Sequence, residues 1–312
     1  MSSTADLVSD AGPADPGVGV WLHGVTRDAD PALLATTAGM DGAAVRAVRA
    51  AGLVAVVSAA PLSEYGEEAL RRNLEDLAWL ERAARTHHAV VAALSRAGAV
   101  VPARLATVHH DDARVAGQLA ARQAELTTVL DRLAGRDEWG VKGYVVPGAT
   151  PRIESVPGAA SRTSESVPGA AAGTSESAGS GAPAGTSPPV GSGGGAGAAY
   201  LRRRRAQLTA RDEGQRIAVD AACAVHGALA GQAVAARRHP PQDRRLSGAP
   251  TAMVLNGAYL VEQSSLADFH RLVDALADRH PEIRLELTGP WPPYSFAEER
   301  PAEPALTVRE PA

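Results

Sequence analysis

The spacing of apolar residues predicts alternating strands and helices in the first half of the chain. Residues 18–25 and 53–58 are short, nearly continuous apolar runs, a pattern typical of buried strands. Residues 73–97 and 112–134 carry apolar positions at helical spacing and predict two long helices. A strand at residues 138–146 is expected to close this region. Strands that alternate with helices favour an α+β domain with a helix-backed sheet.

The first long helix is apolar on two sides. One side holds Trp79, Ala83 and Val90. At about 100° per residue, a second, leucine-rich stripe forms on roughly the opposite side. The members of this stripe are Leu70, Leu74, Leu77, Leu80, Ala84, His88 and Val91. The pattern predicts a helix that lies between its sheet and a second structure, with His88 as a packing histidine.

The second half of the chain opens with a predicted long helix at residues 200–238. Apolar positions recur along it at seven-residue steps, at Leu201, Leu208, Ala222 and Leu229. This spacing hints at coiled-coil-like packing. A strand at residues 252–262, a helix from Ser265 and a strand from Ile283 follow. This strand–helix–strand order is half of a ferredoxin-like unit.

Residues 147–198 separate the two halves and consist almost entirely of Gly, Ala, Ser, Thr and Pro. Such a segment cannot bury enough apolar area to offset its chain entropy, so we predict a long disordered linker. The expected organisation is an N-terminal α+β domain at residues 1–146, this linker, and a C-terminal α+β domain with the long helix at residues 199–300. A disordered tail is expected at residues 301–312.

A stiff segment rich in aromatic residues follows the last predicted strand, and we call it the aromatic arm (residues 289–296). Its three prolines fix φ and remove backbone donors, so it cannot continue as a central strand or enter a helix. It carries Trp291, Tyr294 and Phe296, which are three of the chain's eleven aromatic residues. Two interpretations stay open: the rings pack against the chain's own domains, or they contact another protein.

Composition and motifs narrow the possible chemistry. The formal net charge is −4, so the chain as a whole is not built for nucleic acid or an anionic membrane. A single cysteine, Cys223, excludes an intrachain disulfide and a multi-cysteine zinc site. The sequence has no stretch near the ~20 apolar residues of a membrane helix and no phosphate-binding, nucleophile-elbow or dinucleotide motif. We therefore expect no cofactor, no metal, no nucleic acid and no membrane.

Two cationic features leave alternatives open. Arg104 follows Pro102 on a stiff backbone, where it forms either a salt bridge or carbonyl cap within the first domain or a contact with a partner. The run Arg202 to Arg205 lies near the start of the long helix, where the helix dipole disfavours cations. It is a solvated face, a contact for an acidic partner, or an RNA-binding patch. The last interpretation would need an aromatic platform, and Tyr200 alone is too little.

Six short segments resemble the gas vesicle protein F/L family. They are residues 63–70, 73–80, 101–108, 138–142, 199–202 and the aromatic arm. Leu105 and Ala106 replace that family's usual Phe-Gly, and the central insertion is unusually long. The resemblance implies an α+β fold of two ferredoxin-like α+β domains, of which the second has a long helix.

The resemblance also implies a gas vesicle accessory protein that acts in assembly and is not an enzyme. We expect it to bind the amphipathic shell protein and other accessory proteins, at the gas vesicle and in the cytoplasm. The candidate contact residues are Trp291, Pro292, Pro293, Tyr294, Phe296, Trp79 and Arg104. The alternatives are a ligand-binding or catalytic protein on a ferredoxin-like scaffold, or an RNA-binding protein that uses Arg202 to Arg205.

Overall fold

A computed structural model of the chain describes residues 17–148, 194–242 and 250–298. The predicted linker falls almost wholly outside these residues, and the predicted tail at 301–312 falls entirely outside them. The first half contains β1 (Val18–Thr26), α1 (Pro31–Thr36), β2 (Val45–Ala50), β3 (Leu53–Pro61), α2 (Leu62–Tyr65), α3 (Glu67–Asn73), α4 (Leu77–Ala97), β4 (Val101–Pro102), β5 (Val108–His109), α5 (Asp112–Ala121) and α6 (Gln123–Leu133). The remainder contains β6 (Arg136–Val145), α7 (Gly194–Gln232), β7 (Ala235–Arg238), β8 (Met253–Glu262), α8 (Leu266–Arg279) and β9 (Ile283–Trp291).

The first sheet is antiparallel, with the strand order β2-β3-β1-β4, and β5 pairs with β1. Its strand β3 is covered on both faces, which explains its unbroken apolar sequence. Val54 and Val56 share a buried cluster with residues of α4, whereas Ala55 and Val57 share one with residues of α5 and α6. The predicted strands at 18–25 and 53–58 are confirmed, each with a slightly longer end.

The side of α4 that packs on the sheet is the one that carries Trp79, Ala83, His87 and Val90. The predicted leucine stripe is buried only in part, because Val91 is buried whereas Leu77 is 79% exposed and the neighbouring Leu74 is also exposed. The helix begins at Leu77, after the N-cap Asp76, so Leu74 lies outside it. Apolar spacing alone could not choose between the two sides, and His88 is only partly buried.

The second sheet is also antiparallel and has the strand order β7-β8-β6-β9. With α7 and α8 on one face, this is the strand order of a ferredoxin-like β-α-β-β-α-β unit. The expectation that residues 138–146 close the first domain is wrong, because β6 pairs with β8 and β9 as the first strand of this unit. The predicted α+β class, with two antiparallel sheets and a long helix in the second half, is confirmed.

The helix α7 packs only along its C-terminal part. Its buried residues begin at Ala218 and continue to Leu229, and every residue from 201 to 213 is exposed. Ala222 and Leu229 of the proposed seam are buried, but they pack in the core of the second sheet, whereas Leu201 and Leu208 are exposed. The hint of coiled-coil packing is therefore wrong. The helix ends at Gln232, and the last residues of its predicted span form β7 instead.

A shared core joins the two sheets. One buried cluster combines residues of α6, the first sheet, β8 and the aromatic arm. Its members from α6 are Leu126, Val129, Leu130 and Leu133, and those from β8 and the arm are Ala258, Leu260 and Phe296. The helix predicted at 112–134 is two helices, because its hydrogen-bond pattern breaks at Arg122. The aromatic arm thus ends in the layer that connects both halves of the molecule.

Candidate functional site

The aromatic arm begins as the end of an edge strand. In β9, Trp291 still pairs with Glu138 of β6, and Pro290 is accommodated because β9 has a neighbour on one side only. After Pro292 and Pro293 the chain turns through a short 3-10 helix from Tyr294 to Phe296. The arm therefore packs against the chain's own domains, and the interpretation that its rings do so is confirmed for part of the arm.

Phe296 anchors the end of the arm. Its ring is 2% exposed and belongs to the core between the sheets. Its carbonyl oxygen accepts a hydrogen bond of 2.6 Å from Arg132 Nη2 of α6. The guanidinium carbon of Arg237 on β7 lies 5.7 Å from the centre of the ring, within the range of a cation–π contact. Groups from α6, β7 and the core thus hold one ring.

A buried carboxylate holds the residue before this anchor. Glu138 Oε2 accepts a hydrogen bond of 2.8 Å from the Ser295 backbone N–H, and Oε1 accepts one of 2.7 Å from the Ser295 hydroxyl. Burial raises the pKa of Glu138, and the two bonds from Ser295 oppose that rise. Since Glu138 lies on β6, the central strand of the second sheet fixes the position of the arm.

The arm lies over a buried polar cluster in the first half of the molecule. Trp21 Nε1–H donates to His87 Nδ1 at 3.0 Å, so His87 carries its proton on Nε2 and donates it to the carbonyl oxygen of Ala103 at 3.1 Å. His23 stacks on His87 at 5.4 Å, and its Nε2 lies 3.0 Å from Ser58 Oγ. Burial is the main cause that lowers the pKa of His87 to about 4 and that of His23 to about 3. Both rings are therefore neutral at pH 7.

Three rings above this cluster form a partly exposed surface, which we call the ring face (His88, Trp291 and Tyr294). The Trp291 and Tyr294 rings lie 5.9 and 6.1 Å from the ring of His88. Tyr294 also lies 6.5 Å from His87, and its pKa is raised to about 12 by burial and then by the charge of Glu138. Trp291 remains 42% exposed and Tyr294 40% exposed.

The other candidate contact residues have different surroundings. Pro292 and Pro293 are buried in the turn of the arm. Trp79 is buried, donates from Nε1 to Glu64 at 3.0 Å, and lines an open cleft of 530 Å³. Arg104 is exposed and pairs with Glu298 at 2.5 Å, just beyond the arm. The structure therefore brings Trp291 and Tyr294 together at the surface, and it does not bring Trp79 or Arg104 into the ring face.

The alternative of a polar ligand site that joins Arg104 and His109 is not supported by the cavity beside Arg104. The cavity beside Arg104, of 340 Å³, has mainly apolar walls and is not lined by His109. Within the described residues, no group of three or more His, Cys, Asp or Glu side chains is placed to hold a metal ion. None of the described helices is long and apolar enough to cross a membrane.

Sequence reasoning missed three residues that shape this site, His23, His87 and Glu138. A polar residue inside an apolar strand was visible at His23, in the run from Val18 to Val25. His87 follows Trp79 and Ala83 at four-residue steps, and this spacing places it on the same face of α4 as those two residues. The bond from Glu138 to Ser295 joins residues far apart in sequence, and no local pattern indicates it.

Comparisons with known proteins agree with this architecture. The family model described as "Gas vesicle synthesis protein GvpL/GvpF" matches residues 19–298. Gas vesicle protein L of Streptomyces sp. (strain CB03234) is 40% identical over 278 residues, which cover 89% of this chain and 92% of that protein.

Two crystal structures of GvpF have a similar fold. The one from Anabaena sp. PCC7120 has a TM-score of 0.55 at 18% identity and covers 91% of this chain and 97% of its own. The one from Microcystis aeruginosa has a TM-score of 0.53 at 18% identity and covers 90% of this chain and 99% of its own.

The two-sheet fold, the arm that joins its halves and the family match define a gas vesicle accessory protein. The chain belongs to the GvpL/GvpF family of gas vesicle synthesis proteins, and the resemblance seen in its sequence motifs is confirmed.

Proposed function

We propose that this protein binds the amphipathic shell protein of the gas vesicle, together with other accessory proteins, during assembly of the shell. It presents a preformed surface to them and does not transform a substrate. We place this activity in the cytoplasm and at the growing vesicle. A shell subunit with one strongly apolar face aggregates unless that face is covered before it joins the wall.

The observation that carries this proposal is the ring face. Trp291 and Tyr294 are large, partly exposed rings that are held by a turn whose own anchor, Phe296, is buried. Rings that are already fixed lose little conformational freedom when a partner covers them, which favours binding. Tryptophan and tyrosine are also the residue types that most often dominate the energy of a protein interface.

The remaining candidates have supporting roles in this proposal. Pro292, Pro293 and Phe296 hold the arm in place, and Arg104 restrains its far end through Glu298. Trp79 lines the cleft near the start of α4, eight residues before His87 on the same helix, and this cleft offers a second surface for an accessory partner.

The test is a binding measurement between the purified full-length protein and the shell protein, held in mild detergent below its aggregation concentration. Trp291→Ala combined with Tyr294→Ala should weaken binding by roughly tenfold to a hundredfold, since a ring at an interface centre contributes about 1–2 kcal/mol or more. The yield of buoyant vesicles should fall in cells that carry only this variant.

The matched control is Tyr200→Ala, which removes an exposed aromatic ring near the start of α7. It should leave shell binding unchanged, and circular dichroism should show that all variants fold. If the double variant binds the shell protein as tightly as the wild type, and the vesicle yield is normal, the ring face is not the contact surface.

A further inference from the structure

The outer half of α7 (residues 198–216) is a helical surface with no packing partner in the described structure. All residues from 201 to 213 are exposed, over a helix length of about 20 Å. Leu201 is 66% exposed and Leu208 47% exposed, and the two lie within about 20° of each other around the helix. Large apolar residues that are aligned and exposed on an isolated helix are typical of a surface that packs against a partner.

The charge of this outer half is strongly positive in an acidic protein. It holds six arginines and two acidic residues, while the whole chain has a net charge of −4. Arg204 and Arg205 flank the stripe of Leu201 and Leu208, whereas Arg202 and Arg203 point to other sides of the helix. No carboxylate within the described residues forms an ion pair with any of these four arginines. The partner of this surface should therefore combine apolar groups with unpaired carboxylates.

The connection between α3 and α4 offers the complementary chemistry on the same chain. This acidic corner (residues 67–77) contains four acidic residues and two arginines. It exposes Leu74 and Leu77, and Leu77 is the most exposed large apolar residue in the described structure. Glu68 and Glu75 are exposed beside them, and neither forms an ion pair with another described residue.

We propose that the outer half of α7 binds the acidic corner of a second copy of this chain. Both surfaces are open in one molecule, so the contact forms between molecules. Charge favours this contact over the pairing of two α7 helices, because that pairing would place six arginines against six others. The contact joins two different surfaces, so in a dimer one copy keeps its acidic corner free and the other keeps its α7 surface free. Assembly therefore continues beyond a dimer unless a ring closes.

The first test is sedimentation of the wild-type chain over a range of concentrations, without shell protein. We expect species larger than a dimer at high concentration, and dissociation when salt is raised from about 50 to 500 mM, because screening weakens exposed ion pairs. A chain that stays monomeric at every concentration would overturn the proposal.

The variants test which surfaces meet. Arg204→Glu with Arg205→Glu should weaken self-association by roughly tenfold or more, because two attractive contacts become repulsive. Glu68→Arg with Glu75→Arg should do the same from the other side. The matched control, Arg202→Glu with Arg203→Glu, makes an equal change of charge away from the leucine stripe and should have a much smaller effect.

A mixture of the helix variant and the corner variant gives the decisive result. Each variant alone should self-associate more weakly than the wild type, and the mixture should associate more strongly than either variant alone, because each supplies the surface that the other has lost. Self-association of the corner variant at wild-type strength would show that α7 binds elsewhere. These experiments contain no shell protein and leave the ring face unaltered. Failure of this proposal would therefore not contradict the proposed shell binding, and failure of shell binding would not contradict this proposal.

Discussion

The aromatic arm and the outer half of α7 both expose large apolar side chains, and they are built in opposite ways. In the aromatic arm, every exposed ring lies next to a buried anchor, and Glu138, Arg132 and Phe296 fix the backbone. In the outer half of α7, the only support is the helix itself and its continuation beyond Ala218 into the packed part. One region is a surface held by tertiary contacts, and the other is a helix held by local hydrogen bonds.

The difference predicts how each region responds to change. A surface that depends on long-range anchors is lost when a distant anchor is removed, whereas an isolated helix depends on intrinsic helix propensity and tolerates surface substitutions. Changes around the arm should therefore affect the stability of the whole protein. Changes in the outer half of α7 should affect only the local order of the helix.

The largest effect should follow from Phe296→Ala. It removes a fully buried ring from the core that joins both sheets, and such a change costs about 3–5 kcal/mol. Tyr294→Ala in the same turn should cost much less, because that ring is partly exposed. Denaturant unfolding measures both. Equal losses for the two variants would show that the arm is not anchored through Phe296.

Acid should weaken the support beneath the arm. The folded pKa of His87 is about 4 and that of His23 about 3, both below the unfolded value of 6.5. The unfolded chain therefore binds protons first as the pH falls, and stability that is fully present above pH 6.5 is lost from there towards pH 4. At pH 5 the loss is roughly 1–2 kcal/mol per histidine.

The measurement for this prediction is the free energy of unfolding between pH 7.5 and 5. His87→Gln should flatten the slope, because it removes one of the histidines whose pKa is lowered by burial. The same substitution at the exposed His110 is the control and should leave the slope unchanged. A wild-type slope in the His87 variant would show that other groups cause the acid sensitivity.

Substitution of Glu138, whose carboxylate holds Ser295, should have a smaller and more local effect on stability. Glu138→Ala leaves the Ser295 N–H without its acceptor and should cost about 1–3 kcal/mol. Glu138→Gln keeps one acceptor and one donor and should cost less. Faster chymotrypsin cleavage after Tyr294 in the Ala variant, with slower cleavage in the Gln variant, would show that this bond holds the arm in place. Identical cleavage of both would contradict it.

Much of the fold could be predicted from the chain, because its elements depend on local pattern. The buried face of α8 follows from its sequence pattern, because Phe269, Val273 and Leu276 are buried and only one side of that helix is apolar. The buried side of α4 was not predictable in this way because both of its sides are apolar. The sheet to which β6 belongs could not be predicted either, because alternation along a strand identifies its two faces and not the strands it pairs with.

The candidate site shows the same limit. The sequence identified Trp291 and Tyr294 because prolines and rings in one short segment form a local signal. It could not identify their support, since His87 and Glu138 meet the arm only after both halves of the chain have folded. Residues that present a surface were therefore predictable, and residues that hold it in place were not.

The last comparison makes the same substitution, glycine to alanine, in both regions and measures its effect on stability. Gly214 lies in α7, and a Cβ there would meet no atom within 4 Å, so Gly214→Ala should stabilise the helix by about 0.5–1 kcal/mol. Hydrogen exchange of the amides from 201 to 213 should slow, with little change in global unfolding. Gly289 in the arm has φ +135, and its Cβ would lie 3.1 Å from the Glu138 carbonyl oxygen. Gly289→Ala should therefore destabilise the whole protein, because both the backbone conformation and the space exclude a side chain. If both variants change global stability in the same direction, the outer half of α7 is packed in solution, and the contrast between a surface held by anchors and a helix held by itself is wrong.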